Sequence, residues 1–95
     1  MELTFTGELI HWRGPAPYHF VPVPEQESAA IEASSRLVSY GWGCIPVTVT
    51  TGDTTWTTSL FPKDGRYLVP VKAAVRRTVG LELGDRIKIT LIVDV

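Results

Sequence analysis

Apolar and polar residues alternate from the start of the chain: Leu3, Phe5, Gly7 and Leu9 face one way, Thr4, Thr6 and Glu8 the other. A period of two places successive side chains on opposite faces of a strand, so residues 3–12 are predicted to be β. Arg13-Gly14-Pro15-Ala16-Pro17 reads as a turn, because glycine and proline break regular pairing. Tyr18 to Val23 reads as a second strand. Pro24-Glu25-Gln26-Glu27 then opens a helix running to about Leu37. Proline suits the first helical turn, and two glutamates complement the positive end of the helix dipole.

Beyond Tyr40-Gly41-Trp42-Gly43 the strand period returns over Cys44 to Thr51, with Ile45, Val47 and Val49 on one face. Gly52-Asp53 supplies a hairpin turn into Thr54 to Phe61. Lys63-Asp64-Gly65-Arg66 turns again into Tyr67 to Val71. A short helix is predicted over about Lys72 to Val79, ended by Gly80, a residue suited to the left-handed position after a helix. In the last strand Ile87, Ile89, Leu91 and Val93 alternate with Lys88, Thr90 and Asp94.

The two halves match when aligned. Thr4-Phe5-Thr6-Gly7-Glu8-Leu9 lies over Thr55-Trp56-Thr57-Thr58-Ser59-Leu60, and Phe20-Val21-Pro22-Val23 over Leu68-Val69-Pro70-Val71. Each Pro-Val pair leads into a helix, and each helix into an alternating strand. The pattern predicts an internal duplication of a strand-strand-helix-strand unit, about residues 3–51 and 54–94, arranged around a pseudo-twofold axis. Coincidence among threonine- and valine-rich strands is the alternative.

The chain also resembles the family called domain of unknown function 1905. The resemblance is carried by Phe5-Thr6-Gly7-Glu8-Leu9, Phe20-Val21-Pro22-Val23-Pro24, Trp42-Gly43-Cys44-Ile45-Pro46-Val47, Thr58-Ser59-Leu60-Phe61-Pro62-Lys63, Gly65-Arg66-Tyr67-Leu68-Val69-Pro70-Val71-Lys72, Val75-Arg76 and Leu83-Gly84-Asp85. It implies a mostly-β fold, a double-split β-barrel with two short helices, like that of the AbrB and MazE swapped-hairpin proteins. It implies no activity. The AbrB-like fold raises nucleic-acid binding as an alternative function, by analogy of fold rather than of site.

Ninety-five residues suffice for one domain, residues 1–95, with a modest core. The net charge of −1 argues against a general polyanion binder. The charge is uneven. Residues 1–52 carry Glu2, Glu8, Glu25, Glu27 and Glu32 against Arg13 and Arg36, a balance of −3. Residues 53–95 carry Lys63, Arg66, Lys72, Arg76, Arg77, Arg86 and Lys88 against Asp53, Asp64, Glu82, Asp85 and Asp94, a balance of +2. A basic side could meet a small anion, although two solvated surfaces explain the same asymmetry. Cys44 is the only cysteine, which excludes an intrachain disulfide and suits the cytoplasm. The acidic, alternating start lacks signal-peptide features, and no run approaches the roughly 18 apolar residues of a membrane span.

Catalytic and metal motifs are weak. His11 and His19 flank the first turn, and Cys44 has no CxxC partner, so no metal site is expected. Ser59 is the most nucleophile-like residue by position, but no nucleophile elbow surrounds it and no base is placed beside it in the sequence. Gly41-Trp42-Gly43 begins like a dinucleotide fingerprint, yet Pro46 stands at the third glycine. Trp42, between glycines, is a candidate ligand contact or a plug at a barrel end. Lys72 is the oddest charge: a cation at a helix start opposes the dipole, and Arg76 repels it from one turn on. Together Trp42, Lys72 and Arg76 form the candidate ligand-binding set, against the alternative of solvated side chains. The expectation is a non-catalytic cytoplasmic module taking a small anionic or aromatic ligand, without cofactor, metal or membrane; an enzyme, which requires two convergent titratable groups in one pocket, is a rival reading. The module is expected to be monomeric and a poor nucleic-acid binder, with docking to another protein as a further alternative.

Overall fold

The computed structural model describes residues 1–12, 18–35, 45–63 and 65–93. Their elements are β1 (Glu2–Glu8), β2 (Ile10–Trp12), β3 (Tyr18–Pro22), α1 (Glu25–Ser35), β4 (Ile45–Thr51), β5 (Thr54–Lys63), β6 (Arg66–Pro70), α2 (Ala73–Val79) and β7 (Arg86–Val93). The strands form one antiparallel sheet in the order β1-β7-β4-β5-β6-β3-β2. The sheet curls into a half-barrel, as right-handed strand twist favours. The curl brings β1 onto β3: a Cβ added at Gly7 would lie 2.5 Å from Val21 Cγ1 and 3.2 Å from the Pro22 carbonyl oxygen.

The core follows from the alternation. Phe5, Leu9, Ile45, Val47, Val49, Ile87, Ile89, Leu91 and Val93 are buried on the concave face. Burying each such side chain stabilises the fold by roughly 1.5–3 kcal/mol. Trp56, which the repeat aligns with the buried Phe5, sits half-buried at the margin of the core, and its indole N–H reaches the Pro70 carbonyl at 3.4 Å.

The strand expected over residues 3–12 is interrupted at Leu9. Leu9 N donates to the Asp85 carbonyl at 2.9 Å, and its own carbonyl accepts from Gly84 N at 3.0 Å. The chain changes partners there, from β7 to β3. β5 makes the corresponding change without a break, leaving β4 after Leu60 and meeting β6 at Phe61.

The helices seat differently. α1 begins at Glu25, just after Pro24, and turns Ser28 and Ile31 into the protein, as the three-residue spacing of one helical face requires. α2 begins at Ala73, so Lys72 is its N-cap rather than part of its first turn, and Lys72 provides no side-chain cap. No residue of α2 is fully buried; Val75 and, beyond the helix, Leu81 lean on the core. Gly80 ends α2 in the left-handed conformation at φ 76°, its N–H donating to the Arg76 carbonyl.

Candidate functional site

At the open side of the sheet, between β3, β5 and the approach to α2, lies a cleft of about 340 Å³. His19 comes from β3; Thr58, Ser59 and Phe61 from β5; Pro70, Val71 and Lys72 from the segment joining β6 to α2. Val71 N donates to the His19 carbonyl at 2.9 Å, which extends the pairing of β3 and β6 by one step and fixes His19 beside that segment. Its walls combine apolar Phe61, Pro70 and Val71 with two hydroxyls, an imidazole and an ammonium.

His11 and His19 are partners across β2 and β3, with ring centroids 4.8 Å apart and planes tilted by 41°. His11 is exposed and His19 half-buried. His19's pKa is lowered from 6.5, first by desolvation, then by the positive charge of Arg76, then by His11. The imidazole is therefore biased toward its neutral form. Among the described residues no group of three or more metal-ligating side chains occurs, so the histidine pair lacks a third ligand.

Arg76 is half-buried, and its Nε is buried with no hydrogen-bond partner among the described residues. An unpaired buried donor costs about 1–3 kcal/mol of desolvation. Arg76 does not line the cleft; it approaches it through His19, on which its charge acts. Of the sequence-selected set, then, Lys72 lines the cleft, Arg76 stands behind its histidine, and Trp42 lies outside the described residues, as does Cys44. Ser59 and His19 meet in one cavity although no sequence spacing pairs them. His19, Thr58 and Phe61 escaped the sequence reading because three strands have to be assembled before they share a wall. The one available signal was the placement of His11 and His19 on either flank of the first turn.

Two further depressions lie among the described residues. Phe61 is also a wall of a mainly apolar groove of about 370 Å³ with Phe20, Pro62, Lys63 and Leu68. A polar cleft of about 390 Å³ lies at the other side of the molecule, with Gly7, Glu8, Ile10, Pro22, Pro24, Arg66 and Arg86 among its walls.

A curled antiparallel sheet carrying two helices and a cleft with cationic residues defines a small β-rich module. The chain belongs to the family described as Domain of unknown function (DUF1905), matched over residues 5–91. No curated protein matches it. No described helix is long and apolar enough to cross a membrane.

Proposed function

We propose that this domain is a non-catalytic ligand-binding module whose β3–β5 cleft takes a small anion. The observation that carries the reading is the unpaired, buried Arg76 Nε beside His19, at a cleft whose rim bears Lys72. An anionic group in the cleft meets the Lys72 ammonium and offsets the positive charge that Arg76 exerts on His19. His19 then gains a partner that favours its protonated form.

The same proposal reads the fold as a double-split barrel made by internal duplication. Strand register supports it. Ile10 pairs with Phe20, His11 with His19 and Trp12 with Tyr18; in the second half Phe61 pairs with Leu68, Pro62 with Tyr67 and Lys63 with Arg66. The Thr4 and Thr90 hydroxyls are 3.1 Å apart, as are those of Thr55 and Thr50. Val23 N donates to the Tyr67 carbonyl, and Val71 N to that of His19. A twofold axis through the Val21–Val69 and Thr50–Thr90 pairs relates each member of these sets to its counterpart.

Under that axis the two clefts correspond: Gly7 to Thr58, Glu8 to Ser59, Ile10 to Phe61, Pro22 to Pro70 and Pro24 to Lys72. The β3–β5 cleft thus has Ser59 where the other has Glu8 and Lys72 where the other has Pro24, while the other cleft alone carries Arg66 and Arg86. Internal pairing of the halves also implies a monomer, to be checked by light scattering; a dimer mass at all concentrations counts against it.

Calorimetric titration of inorganic phosphate and sulfate tests the binding reading. Saturable binding to wild type that is lost in Lys72→Glu and weakened in Arg76→Met supports it. Binding unchanged in both variants, or absent from wild type, overturns it.

A further inference from the structure

Phe61 is shared. It lines the cleft that bears His19 and Lys72 and is also a wall of the groove made with Phe20, Pro62, Lys63 and Leu68. Its ring meets that of Phe20 edge to face, with centroids 6.1 Å apart, yet Phe61 remains 36% exposed. An aromatic side chain so exposed between two apolar hollows forgoes burial that a ligand could supply. The two hollows meet at Phe61, so the Lys72 charge and the apolar surface of Phe20, Pro62 and Leu68 lie on either hand of one shared wall.

Resting on the anion reading above, we infer that the ligand is an amphiphilic anion: a single carboxylate or phosphate head with an apolar body. The head lies against Lys72 and His19, with Arg76 behind. The body crosses Pro70 and Phe61 toward Phe20 and Leu68. Together the two hollows have about 340 and 370 Å³, within the range of small-molecule sites of roughly 300–1,000 Å³. The apolar end contributes contact area, while the polar end fixes orientation and selects the anion over its neutral analogue.

The test uses butanoate, hexanoate and octanoate, each well below its micellar concentration, with octanol as the neutral analogue, titrated calorimetrically at constant ionic strength. Each methylene that reaches Phe61 is expected to tighten binding about fourfold, the equivalent of burying one CH₂ group. Octanoate should therefore bind at least tenfold more tightly than butanoate. Phe61→Ser should erase that gain, so that octanoate and butanoate bind the variant equally, and Phe61→Leu should keep most of it. Because Phe61 is exposed, both variants are expected to fold, and their circular dichroism verifies this. Butanoate and octanoate binding equally would overturn the amphiphile while leaving the anion reading in place. Octanol binding as tightly as octanoate would overturn the anion reading itself, and the amphiphile with it.

Discussion

The Ser28 hydroxyl joins α1 to the sheet: its Oγ accepts the Tyr67 N–H at 3.1 Å and donates to the Val23 carbonyl at 3.1 Å. Ser28 lies four residues after Pro24 and donates its own N–H to the Pro24 carbonyl. Arg76 stands in the same relation to Lys72 on α2, but its buried Nε bonds to nothing among the described residues. One helix is pinned by a satisfied polar group; the other carries an unsatisfied one. Replacing Ser28 by Ala leaves the buried Tyr67 N–H without its partner, so the variant should lose about 1–3 kcal/mol of stability. Arg76→Met should be neutral or slightly stabilising in anion-free buffer, because it removes the unpaired donor. Urea denaturation of the two variants measures both. Equal losses would show that the pinning role assigned to Ser28 is mistaken.

Gly7 is expected to tolerate no side chain. With a Cβ it would press on Val21 Cγ1 at 2.5 Å, and Val21 is fully buried between β6 and the core. The backbone oxygen of Pro22, at 3.2 Å, blocks the other escape. Gly7→Ala should therefore force β1 away from β3 and cost about 1–3 kcal/mol, the usual range for overpacking. An unchanged urea midpoint would mean that β1 and β3 approach less closely in solution.

Much of this architecture could be read from the sequence because single-element patterns dictate it. β4 and β7 bury every second residue, as alternation requires, and Gly80 ends α2 where its left-handed φ is needed. The break at Leu9 was not legible, since the apolar period runs through it while the hydrogen bonds change partner. The candidate site was half legible. Lys72 was visible as a cation at a helix start, a local conflict. His19, Ser59 and Phe61 become neighbours only when β3, β6 and β5 lie side by side, and no local pattern encodes that.

His19 gives a pH dependence of definite sign. Its folded-state pKa is lowered by desolvation, Arg76 and His11, so the unfolded chain binds a proton more readily. Stability is therefore expected to fall as pH drops below about 6.5 toward the folded pKa, and to be insensitive to this group above that window. His19→Gln should flatten that part of the curve. Anion binding should run the other way and strengthen on acidification, because a bound anion favours the charged imidazole. Proton NMR titration of the His19 ring, with and without phosphate, reads both effects. An identical midpoint in the two conditions would place the anion elsewhere.

Duplex DNA is expected to bind only weakly at physiological salt, since the chain has net charge −1 and its first half is acidic. Fluorescence titration of labelled duplexes checks this. Nanomolar affinity with a steep salt dependence would instead favour a nucleic-acid-binding role.

Lys72 connects the proposed site to stability. As the N-cap of α2 it supplies no capping hydrogen bond, and its positive charge faces the positive end of the helix dipole. In buffer without small multivalent anions, Lys72→Glu should therefore be neutral or stabilising by a few tenths of a kcal/mol, in line with exposed charges near helix ends. With phosphate, sulfate or citrate present the order should reverse. A ligand that binds only the folded protein stabilises it by mass action, about 2.7 kcal/mol at a hundredfold excess over its dissociation constant. Wild type should gain this and the variant should not. Thermal melting of both proteins across these anions, at constant ionic strength so that general screening is held fixed, separates site binding from salt effects. Parallel melting shifts in every anion would leave Lys72 an ordinary surface lysine. A crossing of the two stability curves as anion is added is the result expected of a cleft that uses this charge to hold a ligand.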